Sequence, residues 1–199
     1  MTAIDISSFA GLTAMVLLTL NILLGLLVSV NYNPRRQWPR RKIPLFKIHN
    51  WNGYAAMAVV CLHPLILLFS SAPRFGIFDL LWPVQSPGQR LYNCLGAVTF
   101  WGFALVVVTS YFRPRLGYRP WKKLHYVAYF AAAVMFVHGT LTDPNVKNAP
   151  PDLLDGEKVL VEACFVAVAA ASVWRWRYGK EKQRYLSSAS RAGRSTAAL

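Results

Sequence analysis

A chain of 199 residues that is 55% hydrophobic, with a mean hydropathy of +0.32, has the composition of a membrane protein. Its net charge of +14 invites a nucleic-acid reading. That reading fails on the placement of the charge, which falls in alternate loops as membrane topology requires.

Five apolar runs follow in chain order, at approximately 9–31, 47–70, 91–112, 122–142 and 158–176. Each is long enough to cross a hydrocarbon core of about 30 Å at about 1.5 Å per residue. The links between them hold the helix breakers: Pro34 and Pro39, then Pro73, Pro83 and Pro87, then Pro114 and Pro120, then Pro144, Pro150 and Pro151. The first run has no basic segment before it and exceeds a signal-peptide core, so it is expected to stay as a span. The fold class expected is an all-α integral membrane bundle of about five helices.

Arg35, Arg36, Arg40, Arg41, Lys42 and Lys47 follow the first run, and Arg113, Arg115, Arg119, Lys122 and Lys123 follow the third. Further basic residues from Arg175 to Arg194 follow the fifth, so that 18 of the 22 basic residues fall in these three places. The positive-inside rule then puts the amino terminus outside and the carboxy terminus in the cytoplasm. The link 71–90 crowds Ile77, Phe78, Leu80, Leu81 and Trp82 between prolines. It is expected either to cover the bundle or to lie in the outer interface with Trp82 as an anchor.

All four histidines lie in the second and fourth runs, His49 and His63 in one and His125 and His138 in the other. An ionisable group at such depth is costly and points to function. The two runs are separated by one span and therefore point the same way, so sequence spacing becomes depth. His49 and His125 lie at the cytoplasmic start, and His63 and His138 lie 14 and 13 residues further on, about 20 Å along a helix. This gives two cross-helix pairs, an inner one of His49 with His125 and an outer one of His63 with His138. Each could supply the two axial imidazoles of an iron porphyrin, held between facing helices.

Zinc fits less well, because a structural zinc site gathers four ligands at one point. A proton relay would be expected to recruit more buried carboxylates than Glu162 alone. Cys61, Cys94 and Cys164 form no C-x-x-C pair, which excludes covalent haem attachment and a thiol redox motif.

One detail resists an ideal helix. Thirteen steps of about 100° leave His138 about 140° away from His125, so a straight fourth helix would not aim both at one seam. Local distortion, or a sideways offset between the two sites, is required. Gly53, Ala55, Ala56 and Ala58 in the second run, with Ala131, Ala132 and Ala133 in the fourth, offer room for flat macrocycles or for close helix packing. Pro64 should bend the outer end of its helix. Lys47, Arg119, Lys122 and Lys123 lie where they could pair with haem propionates.

The histidine spacing, with the W-x-x-L-H-x-x-x-Y context of Trp121, Leu124, His125 and Tyr129, resembles the ferric reductase-like transmembrane domain over roughly residues 10–178. That superfamily includes ferric reductases, NADPH oxidases and the haem-binding subunit of the bacterial methionine sulfoxide reductase system. The resemblance implies that His49, His63, His125 and His138 ligate two b haems stacked across the membrane. Ferric reductases and NADPH oxidases carry a flavin and nicotinamide module after the last span. Here only about twenty residues follow that span, with no G-x-G-x-x-G motif.

The expectation is therefore a haem-binding membrane domain over 1–178 and a basic, disordered cytoplasmic tail over 179–199. Electrons would come from a quinol or a separate flavoprotein and pass to an extracytoplasmic partner or substrate, in a bacterial inner membrane. A bound quinone belongs to the same picture, and nucleic acid does not. A quinone-reactive cytochrome b subunit of a larger respiratory complex and a cofactor-free structural membrane subunit are the alternatives.

Overall fold

The computed structural model of the chain describes residues 1–30, 44–142 and 154–196. The basic run from Arg35 to Lys42 and the link residues from Asp143 to Asp152 lie outside them.

Helix α1 (Ala3–Ser29) opens on a capping box, in which the Asp5 amide donates to Thr2 Oγ1 and the Thr2 amide donates to Asp5 Oδ2. Two of the donors that every helix start leaves orphaned are satisfied in this way, typically for about 1 kcal/mol. Helix α2 (Leu45–Ile66) contains Pro64 and tightens into a 3-10 turn at Leu67–Phe69. Short α3 (Ile77–Leu81) is pinned by the Gly76 amide donating to Asp79 Oδ2. After α4 (Arg90–Tyr111), the chain reverses through α5 (Arg113–Leu116) and Gly117, whose φ of 77° suits a residue without Cβ. The fourth span is α6 (Tyr118–His125) continued by α7 (Val127–Leu141), and α8 (Gly156–Thr196) closes the described chain.

Five segments are long and apolar enough to cross a membrane, at Ala3–Ser29, Leu45–Phe69, Arg90–Tyr111, Tyr118–Leu141 and Gly156–Tyr185. They coincide with the five runs read from the sequence. The molecule is an all-helical transmembrane bundle. Helix α1 packs along α2, α4 packs along α7, and α8 lies against α1 and α7. Met15, Leu18, Ala56, Phe103, Met135, Phe136, Val161 and Cys164 meet in the centre. Phe9, Val108, Phe130 and Val166 face outward, as side chains solvated by lipid do.

The small residues of the second and fourth spans divide between two roles. Ala56, Ala131 and Ala132 are buried in the helix seams, and a Cβ on Gly102 would stand 2.8 Å from that of Ala131. Gly53 meets the side chain of Asn21. Ala55, Ala58 and Ala133 are exposed on the outer face of the bundle. These residues serve helix packing and the lipid surface.

The segment from residue 179, expected to be a disordered tail, is helical as far as Thr196, where α8 ends. Lys180, Glu181, Gln183 and Arg184 are good helix formers, and they extend a helix already nucleated in the span.

Candidate functional site

The four histidines point into the bundle from α2 and from α6 and α7, and each rests on a neighbouring antiparallel helix. His63 sits against Gly11 and His49 against Gly25, both on α1. His138 sits against Gly96 on α4, where a Cβ would stand 2.9 Å from His138 Cε1. His125 meets Ser110, also on α4, whose hydroxyl lies 3.4 Å from its Nδ1. Gly11 and Gly25 are 14 residues apart, and so are Gly96 and Ser110. Helix α1 thus carries its seats at the 14-residue interval of the rings it receives, whereas α4 carries seats 14 residues apart for rings that are 13 apart.

The residue four positions before each glycine seat completes the pattern. Nδ1 of His63 donates to the Ser7 carbonyl at 2.7 Å, that of His49 to the Asn21 carbonyl at 3.0 Å, and that of His138 to the Tyr92 carbonyl at 2.8 Å. A carbonyl can only accept, so in each of these neutral rings the proton is fixed on Nδ1 and the lone pair on Nε2. That is the arrangement in which a second hydrogen bond orients a metal-ligating imidazole. The glycine is what allows the ring to come close enough to the facing backbone to make this bond.

At the end of the bundle that carries Lys47, Arg113 and Lys122, the rings of His49 and His125 lie edge to face, with centroids 6.3 Å apart and planes at 71°. Two imidazoles bound to one metal from opposite sides place their centroids about 6–6.5 Å apart, given metal–nitrogen bonds of about 2 Å. The pair fits that requirement. Trp121 stacks on His125 with centroids 4.9 Å apart and donates from Nε1 to Ser110 Oγ, and Arg113 lies over the indole at 4.3 Å. Trp121 therefore buttresses His125, whereas Tyr129 packs against Tyr126.

At the other end, His63 and His138 line one cavity of about 360 Å³, within the usual range for cofactor pockets of about 300–1,000 Å³. Gly11, Gly96, Cys61, Met135 and the inner side of α3 also line it. The Thr99 hydroxyl on its wall is buried without a hydrogen-bond partner among the described residues, which suits a cavity whose occupant is polar in part. Pro64 acts here as well. The Leu67 amide bonds to the Pro64 carbonyl, and the His63 carbonyl accepts from Ser7 Oγ at 2.8 Å.

The fourth span departs from the ideal helix against which its spacing was read. Its helix is interrupted at Tyr126, where the amide is shared between Lys122 and Lys123 and the Tyr129 amide bonds back only three residues to Tyr126. Each 3-10 step advances about 120° instead of about 100°, so the interruption turns His138 only part of the way toward the seam that His125 faces. Among the described residues no three His, Cys, Asp or Glu side chains converge on one point as a tetrahedral set would require.

The glycine seats and the carbonyl acceptors escaped the sequence reading, although the 14-residue interval on α1 was present to be found. A family model described as the ferric reductase like transmembrane component matches residues 10–136, more than half of the chain. The match includes His49, His63 and His125 and stops two residues before His138. No curated protein and no solved structure matches the chain.

Proposed function

The chain belongs to the ferric reductase-like transmembrane family, and from that premise we propose that it is a membrane electron-transfer protein holding two b-type haems. His49 and His125 hold the one at the basic end, and His63 and His138 hold the other. The observation that carries this reading is the carbonyl-fixed tautomer of His49, His63 and His138, which leaves Nε2 of each ring free to ligate.

A bound haem would supply reversible one-electron chemistry, and His49, His63, His125 and His138 are the residues that would hold it. The protein supplies placement. Helix α2 and the span formed by α6 and α7 set the two pairs about 20 Å apart along the bundle, and α1 and α4 hold the rings in orientation. The surrounding apolar side chains exclude water. Alternating basic segments support a cytoplasmic position for the His49 and His125 end. A quinol entering from the bilayer or a separate flavoprotein then serves as donor, and the acceptor lies on the far side.

Single alanine substitutions test the pairing. His63→Ala and His138→Ala should remove the same spectral and potentiometric component, and His49→Ala and His125→Ala the other one. Loss of one common component from all four variants would contradict the assignment.

A further inference from the structure

Lys158 is the one buried cation among the described residues. It stands in the first turn of α8, where the helix dipole disfavours a positive charge. Its Nζ instead donates across the helix boundary to the last-turn carbonyls of α7, at Gly139 with 2.8 Å and at Thr142. These are groups that a helix end leaves without partners and that carry its negative pole. Gly139 lies where α7 packs against both α1 and α8, since a Cβ there would stand 2.7 Å from Met15 Cε on α1 and 3.4 Å from the Val161 methyls on α8.

Thr142 links this contact to the imidazole. Its hydroxyl donates to the His138 carbonyl at 2.7 Å and lies 3.2 Å from His138 Nδ1, while its amide donates to the same His138 carbonyl at 2.9 Å. Lys158 also lines the cavity into which His63 and His138 face. We propose that Lys158 is a positioning residue for the His63 and His138 site, pinning the end of α7 through Gly139 and Thr142 and holding a positive charge that favours the reduced state of whatever iron that site binds. The inference rests on the two-haem reading. Its physical basis is that a buried cation in a low-dielectric wall disfavours the additional positive charge of the oxidised metal.

The test is a potentiometric titration of the haem-loaded protein in detergent, comparing the unchanged chain with Lys158→Met and Lys158→Arg. In Lys158→Met the component that depends on His63 and His138 should move to lower potential, so that at a fixed potential its reduced-to-oxidised ratio falls at least tenfold, about 59 mV for one electron. The component that depends on His49 and His125 should stay in place, and Lys158→Arg should restore the first. Selective loss of the far haem in Lys158→Met, with retention in Lys158→Arg, also supports the positioning role. Full haem content with both components unmoved, or an equal shift of both, would overturn it. A single component in the unchanged chain would instead remove the two-haem reading itself, and the role of Lys158 with it.

Discussion

A glycine facing an imidazole is a steric statement, and Gly11, Gly25 and Gly96 make it three times. A side chain at 96 would drive into His138 and break the Nδ1 bond to the Tyr92 carbonyl, leaving a buried polar group unpaired for about 1–3 kcal/mol. Gly96→Val and Gly11→Val should therefore each lower haem content by about half, with loss of the His63 and His138 component. Gly25→Val should remove the other component, and haem extraction with quantification of the chain would read both. Unaltered stoichiometry would show that the rings need no such seat. The histidine pairs were legible because two spans of like direction convert spacing into depth. Their seats were not, because they lie on the helices that carry no histidine. Lys158 was hidden too, since its partners are backbone carbonyls 19 and 16 residues away.

The elements divide between those that hold the rings and those that enclose them. The five spans were legible from apolar run length, but the interruption at Tyr126 was not, since no Gly or Pro marks it. It follows from hydrogen bonds shared between third and fourth neighbours. Helix α3 shows both faces expected of the 71–90 link: Ile77, Leu80 and Leu81 line the cavity, while Phe78 and Trp82 project outward and are 81% and 72% exposed. Trp101 donates from Nε1 to the Leu81 carbonyl and ties the segment to α4. Because the inward face is untouched by it, the double change Phe78→Ser and Trp82→Ser should preserve haem content and slow electron exchange with an outer partner several-fold. Stopped-flow rates equal to those of the unchanged chain would leave α3 a cover only.

At the scale of the molecule, the bundle has one strongly basic end, and the two imidazole pairs lie at different distances from it. In a variant lacking Cys61, Cys94 and Cys164, a cysteine at Gln85 should react with an impermeant maleimide in sealed cells, and one at Arg115 should not. The reverse result would exchange the donor and acceptor sides. The helical course of the tail was not legible in its polar composition, because a helix leaving the membrane needs no core of its own to continue. The central claim is that two in-line imidazole pairs occupy one bundle, and the most direct measurement is the haem content of the detergent-purified chain at saturation, determined by extraction together with its reduced-minus-oxidised spectrum. The account predicts about two non-covalent b-type haems per chain, both low-spin. Saturation at one haem, or a colourless protein, would contradict it.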